Sequence, residues 1–531
     1  MHSTMAEYPL TIRTIFGYGA RSYAESIVID YRDGGQYRSR TFGEIGQRVH
    51  RLAHALGELG IGPGDRVGSL LWNSSEHLEL YLAVPSMGAV LHTVNLRLSD
   101  AQLVFVINHA EDRVLVADEA ALPQLLRIAA QLQHVHTLVV FQPVAEAPWP
   151  TVTYAELLAA AADAEYPWPE LVETQAAAVC YTSGTTGDPK GVVYSHRSTY
   201  LHSMSVMSGN ALALSQHDRV LPVVPMYHAN AWGLPYAAWF SGADLLMPGQ
   251  HVQPPHLAAM IASQRPTLTA GVPTVWNGLL GYAREQPVDL SSLRVVVGGG
   301  SAVPASLMAD YRTTFGVDLI QGWGMTESSP MAALAWPPKR TRPEDAATWM
   351  ARSGRVLAGL EARTVDDARA PLPADGETVG ELEIRGPWIT ASYYAAESDK
   401  FVDGWLRTGD MVVMWPDGFF QITDRVKDMI KSGGEWISSV DLENQLMAHP
   451  DVVEAAVVAT PDPRWGERPL AWVVRRAGSA VTDAELRAWL GEHFAAWQLP
   501  DAWSWVDEIP KTSVGKFDKK AMRAVATPPG A

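Results

Sequence analysis

The sequence predicts an α/β protein: a large N-terminal domain of two parallel-sheet αβ subdomains plus a β-rich subdomain, followed by a small, mobile α+β C-terminal domain. Three observations carry this expectation. Short apolar runs alternate with stretches of helical spacing between Arg66 and Ile320, which is the pattern of βαβ units in largely parallel sheets. From about Gly354 the helical spacing gives way to short strands and turns. Beyond Asp424 the chain carries a separate set of strand and helix patterns. At 531 residues the chain is too long for one ordinary hydrophobic core, so several domains are expected.

In chain order, Arg66–Trp72 is apolar and bounded by Asp65 and Asn73; Glu76–Met87 has helical spacing through Leu78, Tyr81 and Leu82; Ala89–Val94 is apolar again. Together they make a βαβ unit. Further strands are expected at Arg113–Ala117, Thr137–Phe141, Ala176–Tyr181, Val220–Val224, Leu245–Met247, Thr267–Ala270, Leu293–Val297 and Asp318–Ile320. Loops of unusual composition follow three of them: Thr182–Gly191, Gly298–Pro304 and Gly322–Glu327. Parallel sheets bind ligands beyond the carboxyl ends of their strands, so the three loops are expected on one rim around a single site.

Gly380–Arg385 and Gly418–Thr423 belong to the β-rich subdomain, about 354–424, which closes a large domain of residues 1–424. The small domain, residues 425–531, holds strands at Val452–Ala459, Leu470–Val474 and Trp503–Val506 and a helix at Asp483–Ala496. The alanine run Ala159–Ala162 is expected in a helix, and the tail Thr527–Ala531 is expected to be disordered.

A formal net charge of −17 argues against a nucleic-acid partner, because phosphate neutralisation needs clustered Lys and Arg. An anionic ligand must then be held by local features: loop amides, helix N-termini and a few placed cations. The single cysteine, Cys180, rules out an intrachain disulfide and disfavours a cysteine-based metal site. No apolar run reaches the roughly 20 residues that span a bilayer, and Met1–Ala20 lacks the features of a secretory signal. A cytoplasmic protein with no integral membrane segment is the expectation.

The densest local signal is Tyr181-Thr-Ser-Gly-Thr-Thr-Gly-Asp-Pro-Lys-Gly191. Its glycines let backbone N–H groups turn toward an anion, and its four hydroxyls add donors for phosphate oxygens. It is not a Walker A loop, because Pro189 stands where that pattern needs Gly-Lys-Ser/Thr. A polar hairpin turn is the plain alternative.

This run resembles the phosphate loop of the adenylate-forming superfamily: acyl-CoA synthetases, peptide-synthetase adenylation domains and luciferases. Further segments resemble the superfamily's core motifs in the right order: Pro225-Met-Tyr-His-Ala-Asn-Ala-Trp232, Gln321-Gly-Trp-Gly-Met-Thr-Glu327, Gly404-Trp-Leu-Arg-Thr-Gly-Asp410, Asp424-Arg-Val-Lys-Asp-Met-Ile-Lys-Ser-Gly-Gly-Glu-Trp-Ile-Ser438 and Pro510-Lys-Thr-Ser-Val-Gly-Lys516. The resemblance spans about residues 40–520 and is closest to medium- and long-chain fatty acyl-CoA synthetases, through Tyr194-Ser-His-Arg197 and Gly433-Gly-Glu-Trp-Ile-Ser438.

The resemblance implies a set of roles. Thr182, Ser183, Gly184, Thr185, Thr186, Gly187 and Lys190 form the phosphate cradle. Gly300, Ser301, Gln321, Gly322, Trp323, Gly324 and Thr326 line the nucleotide, with Trp323 stacked on adenine and Asp410 and Arg425 at the ribose. Glu327 holds Mg²⁺ with Thr182 beside it, as one carboxylate plus substrate phosphates usually does. Lys516 is the catalytic lysine, reaching the substrate carboxylate and α-phosphate. His228 lines the junction of the acyl, adenylate and coenzyme A sites, as a binding group of the reaction centre. Trp232 gates the acyl pocket, with Val206, Gly298 and Gly299 in its wall. Asp424 is the hinge about which the small domain turns to present Lys431, Gly433, Gly434, Glu435 and Trp436 for thioester formation.

The expected activity is therefore ATP-dependent activation of a medium- to long-chain fatty acid as acyl-AMP, with pyrophosphate release, and transfer to coenzyme A. Amino-acid substrates are disfavoured, because Tyr227–Trp232 has no acidic residue to pair with an ammonium. The alternatives are a ligase for a short substituted acid such as methylthio-propanoate, and a non-catalytic adenylate-binding protein; the second is hard to square with both Lys516 and Glu327. Homodimers occur among relatives, which makes a homodimer the expected assembly. Ser392 stands where relatives usually have Gly, a departure expected away from the reacting atoms.

Overall fold

A computed structural model describes residues 1–182, 188–425, 427–433, 435–512 and 515–526. The expected disordered tail Thr527–Ala531 lies outside them.

Two large sheets dominate. The first has seven strands in the order Thr151–Thr153, Thr137–Val140, Asp112–Ala117, Arg66–Leu70, Val90–Thr93, Ala176–Tyr181 and Gly191–Ser195. All pairs are parallel except the last, a hairpin. The second sheet has a parallel centre, Asp244–Met247, Arg219–Pro222, Leu268–Gly271, Val295–Gly299 and Leu319–Gly324. It gains Ile27–Arg32 and Gln36–Thr41 at one edge. At the other edge, antiparallel strands continue it through Met331–Leu334, Gly354–Val356, Phe419–Arg425, Trp405–Met414, Val379–Arg385 and Glu361–Val365. The β-rich strands thus extend the parallel sheet rather than forming a sheet of their own.

The helix Ser75–Ser86 is buried at every position. It packs on Val90–Thr93 and Ala176–Tyr181 of the first sheet and on Ile27–Arg32 of the second. Its Tyr81 hydroxyl donates to the Met226 carbonyl, and its Tyr81 carbonyl accepts from Tyr236. Charges on such a helix need partners. Burial opposes ionisation of Glu76, but Arg38 and Arg40 outweigh it and hold the carboxyl at about 2. Glu79 meets Arg48 at 2.5 Å and the Tyr154 hydroxyl at 2.6 Å.

Residues beyond Asp424 form a third sheet, Glu435–Ile437, Ile430–Ser432, Gly466–Arg475 and Val452–Asp462, with Ala502–Trp505 parallel to Gly466–Arg475. It has a core of its own around Ile430, Leu442, Val457, Val473 and Leu486. Capping boxes fix several helix starts, among them Thr41 with Glu44 and Thr482 with Glu485.

Two helical expectations need correction. The helix from Asp483 ends at Gly491, where Glu492 begins a turn, instead of running to Ala496. Helix Tyr154–Ala160 stops within the alanine run, with Ala161 extended, because a run of small residues buries too little area to hold the last turn. Among the described residues no helix is long and apolar enough to cross a membrane.

Within the antiparallel part of the second sheet, the close approach of Gly354–Val356 to Met331–Leu334 depends on Gly354. Its φ is +121°, and a Cβ there would lie 2.7 Å from the Leu334 carbonyl carbon. Gly281, inside the helix Pro273–Ala283, faces open space. We expect Gly354→Ala to cost about 1–3 kcal/mol through strain and Gly281→Ala to gain about 0.5–1 kcal/mol. Denaturant midpoints should move in opposite directions.

Candidate active site

The cleft forms where the two large sheets and the C-terminal unit meet. Thr182 closes the base of its loop: its N–H donates to the Lys190 carbonyl at 2.9 Å, and its hydroxyl accepts the Lys190 N–H at 3.2 Å. Ser183, Gly184, Thr185, Thr186 and Gly187 lie outside the described residues. This loop joins strands of the seven-stranded sheet, whereas the loops after Val295–Gly299 and Leu319–Gly324 belong to the second sheet. The expected common rim is thus two rims brought face to face. Tyr194 donates to the Thr326 carbonyl at 2.8 Å, and the Tyr394 N–H to the Gly191 carbonyl at 2.8 Å, which fastens one rim to the other.

Glu327 sits in the single turn Thr326–Ser328 and is buried. The Tyr393 hydroxyl donates to its Oε1, and Lys400 Nζ lies 3.9 Å from the same oxygen. The Lys190 ammonium stands 4.9 Å from the centre of the Tyr393 ring. Lys190 and Ser392 line one groove together with Glu397, Asp399 and Phe401. Sequence reasoning missed Tyr393 and Lys400; a hydroxyl and a cation bracketing one carboxylate have no fixed spacing to read.

Trp323 corrects an argument from sequence. Flanking glycines suggested a side chain without packing neighbours, yet the indole is buried among Ala333, Leu382, Leu406 and Phe420, edge-on to Phe420 at 5.3 Å. Its neighbours come from adjacent strands, which local sequence does not show. Its Nε1–H donates to Asp410 Oδ2 at 3.0 Å, while Asp410 Oδ1 meets Arg425 Nε at 3.1 Å. Asp410 and Arg425 are register partners on neighbouring strands. Gln321 accepts the Val303 N–H at 3.0 Å, so it ties the Gly298–Val303 loop to the strand that leads to Trp323. Gly322 and Gly324 permit close strand approach: a Cβ on Gly324 would lie 1.9 Å from the Pro330 carbonyl oxygen.

The next wall is strained. Ala229, Asn230, Ala231 and Trp232 have φ of 42°, 52°, 48° and 58°, and Gly233 follows at 72°. Left-handed backbone costs roughly 1–2 kcal/mol per non-glycine residue, so the surroundings must over-determine the turn. The Asn230 side-chain oxygen lies 3.2 Å from both the Tyr81 hydroxyl and the Cys180 thiol. Burial raises that thiol to about 11, which keeps it an inert donor. The turn presses Trp232 onto Gly299, where an added Cβ would lie 2.9 Å from the indole, and Gly298 admits Val303 as closely, at 2.8 Å. Val206 is fully buried in the core beside this wall. His228, just before the turn, is half-buried; burial and the Lys516 ammonium push it down to about 3, so it is neutral near pH 7.

Lys516 enters this cleft from the C-terminal unit. Its Cε lies 3.4 Å from where a Gly300 Cβ would stand, and Gly515 before it, at φ +80°, abuts Val272 and Thr274. Burial lowers the ammonium to about 8; Arg425 adds to the shift, and Asp410 and Glu327 oppose it. Ser301 is exposed on the adjoining loop. Lys516, His228, Gly300, Asp410, Arg425 and Glu327 are thus brought into one electrostatic neighbourhood.

Other expected residues lie elsewhere. Lys431 stands over the Trp436 ring at 5.2 Å, and its N–H donates to Glu467. The Gly433 N–H donates to the Trp465 carbonyl at 2.7 Å. Glu435 and Trp436 are exposed, and Gly434 lies outside the described residues. These partners all belong to the C-terminal unit. Asp424 is buried at the junction and accepts the Arg425 N–H at 2.7 Å and the Ser439 N–H at 2.6 Å.

Two αβ sheets, antiparallel strands that extend one of them, and a small separate C-terminal unit define an adenylate-forming fold. Residues 18–394 match the AMP-binding enzyme family and residues 441–516 the AMP-binding enzyme C-terminal domain. The chain belongs to the AMP-binding enzyme family. It is 45% identical to a long-chain-fatty-acid–CoA ligase of Thermus thermophilus, over 98% of this chain and 96% of that protein. It is 41% identical to a 3-methylmercaptopropionyl-CoA ligase of Ruegeria lacuscaerulensis, over 98% of each. The crystal structure of the anthranilate CoA ligase AuaEII with anthranoyl-AMP superposes with a TM-score of 0.88 at 25% identity, covering 99% of each chain.

The Lys516 environment makes a direct prediction. Its ammonium should lose its proton as pH rises through about 8, against about 10.4 for a free lysine. Removing the Arg425 charge should raise that value. NMR titration of ¹³C-methylated lysines in the wild type and Arg425→Ala checks both the position and the sign.

Proposed function

We propose that the chain is an ATP-dependent acyl-CoA ligase for medium- to long-chain fatty acids. The observation that carries this reading is the desolvated Lys516 ammonium, delivered by the C-terminal unit into a cleft that also holds Glu327, Asp410 and Arg425. Its family membership and its likeness to a long-chain-fatty-acid–CoA ligase support it.

A carboxylic acid is ionised at pH 7, so the substrate needs no general base before it attacks phosphorus. The obstacle is repulsion between that anion and the triphosphate. A substrate oxygen bonds to the α-phosphorus, the bond to the bridging oxygen breaks, and pyrophosphate leaves with the electron pair, giving acyl-AMP. Lys516 places its positive charge between carboxylate and α-phosphate, where low surrounding dielectric strengthens it. The Thr182 loop and Lys190 receive the β- and γ-phosphates, while Asp410 and Arg425 hold the ribose. His228, being neutral, orients the carboxylate rather than exchanging protons. In the second step the coenzyme A thiol gives up its proton to solvent, its sulfur bonds to the acyl carbon, and the bond from that carbon to the phosphate oxygen breaks, so that AMP leaves with the electron pair. The hairpin that carries Lys431, Gly433, Glu435 and Trp436 serves this step after rotation about Asp424.

Mg²⁺ fits the residues present. Among the described residues there is no cluster of three or more His, Cys, Asp or Glu, and Glu327 is a buried carboxylate bonded to Tyr393, over whose ring the Lys190 ammonium stands. One carboxylate completed by substrate phosphates suits this ion. Bound by Glu327 with Thr182, it would supply Lewis-acid neutralisation of phosphate charge. The same reading makes the protein a cytoplasmic enzyme and a homodimer, the latter checked by sedimentation.

A second reading, a ligase for a short thioether acid, is favoured by the 41% identical 3-methylmercaptopropionyl-CoA ligase. Pyrophosphate release measured with acetate, 3-methylmercaptopropionate, octanoate and palmitate, with and without coenzyme A, separates the two. Fastest release with octanoate or palmitate is expected, and acyl-CoA only when coenzyme A is present. Preference for the thioether acid would favour the second reading, and release independent of every acid would remove both. Lys516→Ala should slow acyl-AMP formation by about 10²–10³ yet spare coenzyme A acylation from supplied acyl-AMP. Equal loss of both half-reactions would contradict its role.

A further inference from the structure

Lys519 begins the last helix, Lys519–Ala526, three residues beyond Lys516. Its ammonium lies 2.7 Å from Ser439 Oγ and 2.6 Å from Glu443 Oε1. Both charged side chains are nearly enclosed, at 13% and 10% exposure. Ser439 opens the helix Ser439–Met447, and its N–H donates to Asp424 Oδ2 at 2.6 Å. The Ser438 hydroxyl donates to the Thr423 carbonyl at 2.5 Å. Two hydrogen bonds therefore cross from the hinge strand to the first turn of this helix, and Lys519 grips that same turn. Glu443 also accepts the Val457 N–H at 2.8 Å, which anchors it to the strand Val452–Asp462 of the C-terminal unit. Burial opposes the Lys519 charge, but Glu443, Asp424 and Asp428 outweigh it, so the ammonium is held above its ordinary range. An enclosed ion pair with its hydrogen bonds satisfied fixes geometry in a way that an exposed pair does not.

We propose that Lys519 is a positioning residue for acyl-AMP formation: it ties the segment carrying Lys516 to the hinge helix, so that Lys516 is held in the cleft by the arrangement in which Ser439 bonds Asp424. The path is continuous, from Asp424 through Ser439 to Lys519 and then along three residues of backbone to Lys516. Lys519 touches no reacting atom. It acts by converting the state of the hinge into the position of one ammonium. Two nearby carboxylates are shared with this duty, since Asp424 and Asp428 both contribute to its field. The Arg523 guanidinium holds Asp428 at 2.8 Å from the next turn of the same helix, which steadies the helix that Lys519 opens.

The inference rests on the ligase reading, and the two fail differently. Acid-dependent ATP–pyrophosphate exchange, with whichever of the four acids above reacts fastest, is compared with coenzyme A acylation from the matching synthetic acyl-AMP. Wild type, Lys519→Met and Lys519→Arg are measured, with thermal unfolding alongside. Lys519→Met should lose about 10²-fold in exchange, the usual effect of misplacing a catalytic group by about 1 Å. Coenzyme A acylation should stay near the wild-type rate, and Lys519→Arg should recover most of the exchange. Unchanged exchange, or equal loss in both half-reactions, overturns the proposal while leaving the ligase reading intact. A wild type without acid-dependent exchange overturns the ligase reading and this proposal with it. Should Lys519→Met fail to fold, Ser439→Ala removes one acceptor only: a loss confined to exchange supports the proposal, and no loss or an equal loss overturns it.

Discussion

A single ammonium organises the cleft, and it is expensive to place there. Taking a lysine out of water opposes its charge, and here the opposition shows as a drop to about 8. Asp410 and Glu327 act in the other direction, and without them the shift would be larger. The chain as a whole carries a net charge of −17, so the positive potential that an anion needs cannot come from bulk composition. It comes from a few cations (Lys190, Lys400, Arg425 and Lys516) gathered from four separate stretches of sequence. The fold brings them to one place.

The architecture supplies two walls from the large sheets and a third from the separate C-terminal unit. The fully buried helix Ser75–Ser86 joins the two large sheets, with its carboxylates neutralised by Arg38, Arg40 and Arg48. That rigid joint allows the Thr182 loop of one sheet to face the Glu327 turn of the other. It also braces the left-handed turn at Ala229–Gly233, because Tyr81 of the same helix reaches both Met226 and Asn230. Strain in that turn is therefore maintained by a fully buried helix, and the turn positions Trp232 over Gly299. The third wall, with Lys516, has its own hydrophobic core and meets the hinge through short-range hydrogen bonds. Contacts of that kind are exchanged more readily than a shared core.

Much of the fold was legible in the sequence, for a physical reason. Parallel strands buried on both faces read as continuous apolar runs, so Ala176–Tyr181 and Leu268–Gly271 were marked to within a residue or two. The edge strand Gln36–Thr41, with Arg38 and Arg40 turned to carboxylates, has no such signature and went unread. Among the candidate site residues, Glu327, Asp410, Arg425 and Lys516 come from contiguous motifs, and what the sequence made legible is their candidacy, with the fold bringing the four near one another. What was not legible depends on pairing across the chain. The facing of two rims, the burial of Trp323 against Phe420, the support of Asn230 by Cys180 and the grip of Lys519 on Ser439 all arise between residues far apart in sequence. No local spacing encodes them.

The most direct measurement is a crystal structure with a non-hydrolysable acyl-adenylate analogue, such as an acyl sulfamoyl-adenosine. Lys516 Nζ is expected at hydrogen-bonding distance, about 3 Å, from the group that replaces the phosphate, with Asp410 at the ribose and Trp232 displaced from Gly299 by the acyl chain. A complex in which the analogue binds while Lys516 stays in solvent and Asp410 keeps away from the ribose would contradict it.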